Sequence, residues 1–168
     1  SFLDSITDKL NSRDFLNIPH DKKVLLFFGI IKKVKGLDVL LESLKEVVQK
    51  HPDILLVIAG RVWRNDFSYY QKIIDDNNLS KHCLIHNKFI PQEDVKYYYG
   101  AADLVVLPYK MIYQSGVLMM ALSYRKLVLA SDLEPLSEII SDGKNGFLFE
   151  TENRSDLSHK LDNILDNL

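Results

Sequence analysis

Two sets of residues in this sequence are of the types that hold an anion. The first is Gln114-Ser115-Gly116-Val117, which opens a segment of helical spacing shortly after the apolar run Leu104 to Leu107 and Pro108. Serine is a good N-cap, and glycine lets a ligand come close to the backbone. The N–H groups of Gly116, Val117 and Leu118 would have no carbonyl partner in the first turn and would sit at the positive end of the helix dipole. Such a terminus attracts phosphate. A serine–glycine pair also serves in many βα turns only to start a helix, so a second signal is needed.

That signal is basic. Lys32, Lys33 and Lys35 follow the apolar run Val24 to Phe28, Arg61 and Arg64 follow Ile54 to Ala59, Lys88 precedes Pro91, and Lys110 follows Pro108. Any one of these is also a solvated loop residue, but the chain as a whole is slightly acidic, with a formal charge of −2. Their concentration after successive apolar runs therefore favours an anionic ligand, whereas the overall balance argues against general binding to nucleic acid or to an anionic membrane. After the run Leu127 to Ala130 the sign changes, with Asp132, Glu134 and Glu138. Carboxylates accept hydrogen bonds from sugar hydroxyls, so a ligand with a phosphate part and a hydroxyl-rich part suits both ends.

The elements that must position these residues alternate. Apolar runs at Val24 to Phe28, Ile54 to Ala59, Cys83 to Ile85, Leu104 to Leu107, Leu127 to Ala130 and Phe147 to Phe149 read as strands buried on both faces. Between them, helical spacing is kept by Leu37 to Val48, Phe67 to Asn78, Val95 to Tyr99 and the segment after Ser115, with a helical turn over Glu134 to Ile140. An amphipathic helix closes the chain, with Leu157, Leu161, Ile164, Leu165 and Leu168 on one face. The pattern predicts an α/β fold: a Rossmann-like, doubly wound, mostly parallel six-stranded sheet with helices on both faces. Residues 1–23 read as a lead-in helix or linker and residues 24–168 as one domain. In such a sheet every loop after a strand's carboxyl end lies along one edge, where ligands bind.

Other chemistries are poorly supported. There is no G-x-G-x-x-G and no G-x-x-x-x-G-K-[ST], and Gly60 ends the second strand where a dinucleotide fold would place an acid. His20, His51, His82, His86 and His159 are scattered, without metal-ligand spacing, and no nucleophilic triad can be assembled. The one cysteine, Cys83, reads as a buried strand position and points to a reducing compartment. No apolar run approaches the roughly 20 residues of a membrane-spanning helix, so a cytoplasmic location is expected. The first residue, Ser1, fits a segment of a longer polypeptide.

The sequence also resembles a known family. The carrying residues are Phe28 to Asp38 (FGIIKKVKGLD), Leu56 to Gly60 (LVIAG), Phe89-Ile90-Pro91, Ala102 to Pro108 (ADLVVLP), Glu138-Ile139-Ile140, and Asp142 to Phe147 (DGKNGF). In this order and spacing they are similar to the carboxyl-terminal half of the group 1, family 4-like, retaining glycosyltransferases of the GT-B fold. The resemblance implies a domain that binds a nucleoside-diphosphate sugar, with Gly29, Lys32, Lys35, Ser115, Gly116 and Val117 at the diphosphate and Gly60, Arg61, Phe89 and Ile90 at the base and ribose. It implies no metal ion and no cofactor, since lysines and a helix terminus stabilise charge. It also implies an amino-terminal acceptor domain beyond this segment, through which any contact with the inner face of a membrane would be made, and a role in surface polysaccharide or glycan synthesis. One departure stands out: the family's E-x7-E glutamates align with Ile112 and Met120. Gln114-Ser115-Gly116 resembles a Q-S-G branch in which Gln114 reaches the donor sugar or phosphate, or is a plain turn residue. The alternative is a non-catalytic module of the same fold that has lost its donor contacts.

Overall fold

The computed structural model describes residues 2–112 and 115–168. A helix, α1 (Phe2–Phe15), leads into six strands that each pass through a helical segment to the next. These are β1 (Lys23–Phe28), α2 (Leu37–Lys50), β2 (Ile54–Ala59), α3 (Ser68–Asp76), β3 (Cys83–His86), α4 (Val95–Ala101), β4 (Leu104–Leu107), α5 (Gly116–Ser123), β5 (Leu127–Ser131), α6 (Leu136–Ile139), β6 (Phe147–Phe149) and α7 (Arg154–Asp166). The strands form one sheet in the order β3-β2-β1-β4-β5-β6, and every pair is parallel. The doubly wound sheet expected from the alternating pattern is the one found.

Side chains on a strand alternate between faces, and here the alternation divides two cores. Leu25, Phe27, Leu56, Ile58, Leu104, Val106 and Leu129 join α2, α3 and α7 in one cluster. Val24, Leu26, Leu55, Val57, Val105, Leu107, Val128 and Ala130 join α4, α5 and α6 in the other. Burial on both faces is why these strands read as continuous apolar runs. Leu168 departs from expectation: α7 ends at Asp166, and the Leu168 side chain is half-exposed outside the apolar stripe.

The lead-in helix is tied to the sheet through Arg13, which is buried. Its guanidinium donates to the carbonyls of Ala101, His20 and Lys22 and, at 2.8 Å, to Oδ2 of Asp103. Asp103 also accepts from the Val24 amide at 2.8 Å and pairs with Lys9. One carboxylate thus fixes α1, the start of β1 and the start of β4 together.

The order reverses between β1 and β4: from β1 the chain winds outward to β2 and β3, then returns to β4 on the other side. The loops leaving these two strands therefore diverge and open a crevice at the carboxyl edge of the sheet. Lys32, Lys33 and Lys35 stand on the loop after β1, and Lys110, Ser115, Gly116 and Val117 follow β4, so these residues flank the switch point, while Arg61 and Arg64 follow β2 and Lys88 follows β3.

Candidate functional site

The loops at the switch point are laced to one another by close backbone approaches that only glycine allows. Gly36 adopts φ of 73°, and a Cβ there would lie 1.7 Å from the Pro108 carbonyl oxygen. Gly60, at φ of 145°, passes so near Gly29 that a Cβ would lie 1.9 Å from its oxygen. Hydrogen bonds complete the lacing: the Ile31 amide donates to Arg61 O at 3.0 Å, the Trp63 amide to Ile31 O at 2.8 Å, and the Lys110 amide to Val34 O at 2.8 Å. The three-residue helical turn Lys33–Lys35 then folds the lysine loop back toward β4.

This brings Lys32 and Lys35 into one cavity of about 190 Å³, with Gly29, Tyr109 and Val117 among its walls. Lys35 is half-buried there, and burial, then the nearby Lys32 charge, lowers its pKa below the ordinary lysine value. Each ammonium rests on an aromatic ring, Lys35 at 4.5 Å from the centroid of Tyr109 and Lys32 at 4.5 Å from that of Trp63. Tyr109 itself is buried, which pushes its hydroxyl pKa up to about 12 against a smaller opposing effect of Ser115. It stays a neutral, π-rich surface for the lysine at physiological pH.

Helix α5 begins as expected. Ser115 is the N-cap, its Oγ accepting from the Leu118 amide at 2.9 Å. The Leu118 amide is therefore spent on the cap rather than available to a ligand, which corrects the expectation for it. Helix geometry leaves Gly116 and Val117 as the amides of this terminus open to an anion. Val117 faces the lysine cavity; Ser115 and Gly116 line a neighbouring one of about 560 Å³, closed on its far side by Pro135, Leu136 and Ile139.

A third cavity, of about 310 Å³, is walled by Gly60, Arg61, Phe89 and Ile90 together with Phe28 and Gly29. Every residue expected at the base and ribose is thus in one place. It adjoins the lysine cavity, and Phe28, Gly29 and Ile30 belong to both.

Some expected contributors stand elsewhere. Lys110 is not free for a ligand, because its Nζ pairs with Asp38 Oδ2 at 2.9 Å, and Asp38 also accepts from the Tyr69 hydroxyl at 3.1 Å. Asp132, Glu134 and Glu138 are exposed, and the cavity wall at this end is instead the apolar Pro135, Leu136 and Ile139. Lys33 is exposed and lies 5.6 Å over Tyr69, in a groove on the other side of Lys32. Gln114 lies outside the described residues. Ile112 and Met120 are partly buried against the second core and do not line the lysine cavity. Two contributors were not expected, Tyr109 and Trp63. The one available signal for Tyr109 was its place directly after Pro108 at the end of β4, and for Trp63 its place in the loop after β2 as the chain's single tryptophan.

Comparison with known proteins bears on the family and the fold. The profile of the family described as glycosyl transferases group 1 matches residues 8–168. Spore coat protein SA of Bacillus subtilis is 26% identical over 156 residues, which are 87% of this chain and 40% of that protein. Among solved structures, sucrose-phosphate synthase of Thermosynechococcus elongatus superposes with a TM-score of 0.84 at 21% identity, over 94% of this chain and 40% of that one. HepE of Anabaena in complex with UDP superposes with a TM-score of 0.83 at 19% identity, over 96% and 43%. At such identities the structural likeness speaks for the fold alone. The chain spans about 40% or less of the length of the first curated relatives it matches. Because the family profile covers nearly its whole length, from the last part of α1 to the final residue, the chain belongs to the group 1 glycosyl transferases.

Proposed function

We propose that this chain is the donor-binding half of a retaining glycosyltransferase, which takes a sugar from a nucleoside-diphosphate sugar and passes it to an acceptor in surface polysaccharide or glycan synthesis. The observation that carries this is the common wall of two cavities, Phe28, Gly29 and Ile30, with a mostly apolar cavity that also holds Arg61 on one side and two lysines on the other. A nucleoside diphosphate has the same build, a flat base at one end and a diphosphate at the other. HepE, of like fold, holds UDP.

When the bond between the anomeric carbon and the diphosphate oxygen breaks, its electron pair stays on the oxygen and negative charge builds on the leaving group. Lys32, Lys35 and the terminus at Gly116 and Val117 oppose that charge, and loss of one such donor typically costs on the order of 100-fold in rate. These groups supply the charge stabilisation without invoking a metal ion. The acceptor and the remaining catalytic contacts belong to an amino-terminal domain of the same polypeptide, in keeping with the 40% share of its relatives that this chain spans. The chain alone then binds donor weakly and transfers nothing. We place the enzyme in the cytoplasm, touching the inner face of the membrane through that domain; the free, partly buried thiol of Cys83 suits a reducing compartment.

Titration with UDP and GDP, followed by melting temperature and by heat, tests this. Stabilisation that disappears in the Lys32→Ala, Lys35→Ala double variant is the expected result. A well-folded sample that responds to neither at millimolar concentration overturns it and favours the second reading, a non-catalytic module. The observation on that side is the packing of Ile112 and Met120, both partly buried, against the core, at the places where the resemblance puts the family's glutamates.

A further inference from the structure

We propose that Trp63 is a positioning residue, whose ring is the platform that holds the Lys32 ammonium at the mouth of the diphosphate cavity. The inference rests on the donor function proposed above.

Trp63 is 55% exposed, an unusual place for the largest apolar side chain in the sequence. Its ring centroid lies 4.5 Å from the Lys32 ammonium. Lys32 lines two spaces at once, the diphosphate cavity and a groove of about 560 Å³ that contains Trp63. The backbone under both residues is fixed. The Trp63 amide donates to Ile31 O at 2.8 Å, the Ile31 amide to Arg61 O at 3.0 Å, and the Val62 amide to Asn87 Oδ1 at 2.9 Å. These bonds keep the main chain that carries the ring beside the lysine loop.

The need for a platform follows from the charges. Lys32 and Lys35 are close enough that Lys32 weakens the hold of Lys35 on its proton. With no anion between them, each long side chain is free to swing outward into solvent. A carboxylate partner would hold an ammonium but would also compete with the diphosphate, as Asp38 does where it ties up Lys110. An aromatic face attracts the ammonium and leaves its charge and N–H groups for the ligand. Tyr109 offers Lys35 the same arrangement, so both lysines are held without being neutralised.

The test titrates the unaltered chain, Trp63→Leu and Trp63→Phe with UDP and with inorganic pyrophosphate. Trp63 is the only tryptophan, so its emission in the unaltered chain reads the ring directly. Emission is expected to change on adding pyrophosphate and to stay constant in Lys32→Ala. Trp63→Leu is expected to weaken both ligands about two- to fivefold, Trp63→Phe to recover most of the loss, and the melting temperatures of the ligand-free variants to match that of the unaltered chain. Unchanged or tighter binding by Trp63→Leu, with emission blind to pyrophosphate, overturns the platform while leaving the donor site standing. Failure of the unaltered chain to bind either probe overturns the donor site and the platform with it.

Discussion

Replacing Lys35 by alanine removes one ammonium from the lysine cavity and leaves the walls in place. Lys35 is half-buried, and its neighbours there are Gly29, Lys32, Tyr109 and Val117, none of which carries a negative charge. A hydrogen bond to a charged group contributes about 1.5–3 kcal/mol. The partial exposure of the ammonium places this one toward the lower end, so a loss of about 10- to 50-fold in nucleoside-diphosphate affinity is expected. Lys33→Ala is the matched control: Lys33 sits in the same loop but is exposed, stacks on Tyr69 and lies outside the cavity, so its loss is expected to change affinity less than about twofold. Isothermal titration with UDP and GDP reads both. The pH dependence has a definite sign. Burial, then Lys32, lowers the Lys35 pKa, so diphosphate affinity declines as pH rises through that lowered value, below the ordinary lysine range. The unfolded chain holds the proton more tightly than the fold does, so the charged form of Lys35 costs the ligand-free protein stability at neutral pH, and the cost is relieved as pH rises toward the ordinary lysine pKa. Lys35→Met is therefore expected to melt no lower than the unaltered chain while binding ligand poorly, a trade of stability for function. Retention of full affinity by Lys35→Ala, or a greater loss in Lys33→Ala, would refute the cavity as the diphosphate seat.

Other expectations concern the scaffold. Gly36→Ala would place a Cβ 1.7 Å from a carbonyl oxygen at a left-handed φ, and urea denaturation should show a loss of more than about 3 kcal/mol, whereas a Cβ at Gly116 meets nothing within 4 Å and Gly116→Ala should stay within about 0.5 kcal/mol. Asp103→Ala leaves the buried Arg13 guanidinium without its carboxylate and the Val24 amide without its acceptor, which should cost about 3–5 kcal/mol in the same assay. Ser115→Ala removes the N-cap of α5 and should cost about 1 kcal/mol of stability, read by thermal denaturation.

The fold was legible because its strands are buried on both faces. Leu104 to Leu107 and Ile54 to Ala59 are apolar at every position, and short runs of this kind separated by helical spacing admit little but a parallel sheet. The site was legible where function depends on backbone and position. Gly29, Gly60 and Gly36 end strands or open a helix, and a glycine forced by a close approach shows in the sequence as a glycine. Partner choice was not legible. Nothing local distinguishes Lys110, which a carboxylate from α2 neutralises, from Lys35, which an aromatic ring leaves charged; the difference lies in Asp38, distant in sequence, and in Tyr109. The same holds at the acidic end. Asp132, Glu134 and Glu138 share a loop with Pro135, Leu136 and Ile139, and only the tertiary packing shows that the apolar members face the cavity.

The resemblance that aligns the family's two glutamates with Ile112 and Met120 bears on the proposed donor site. The Ile112 and Met120 side chains, one in the loop before α5 and one on α5, are partly buried against the core that holds Leu118 and Ala121. A carboxylate at either place would hold a ligand hydroxyl by a directional hydrogen bond; an isoleucine or methionine cannot. The carboxyl edge carries main chain around Gly60 and Ile90 with Arg61 and Phe89 beside it, two ammonium groups on aromatic rings, and a capped helix start. On the donor function proposed above, those contacts would recognise a base by its flat face and a diphosphate by its charge, and neither would recognise a sugar hydroxyl. On that reading, discrimination among sugars would fall to whatever faces the cavity between α5 and α6, where Met119 and Ile139 stand exposed, and to the proposed acceptor domain. In the proposed donor site the two lysines that would oppose the charge of a departing diphosphate stand on the loop after β1, away from Ile112 and Met120. The start of α5 lies between those two positions, so a change there bears on the helix terminus and leaves Lys32 and Lys35 in place.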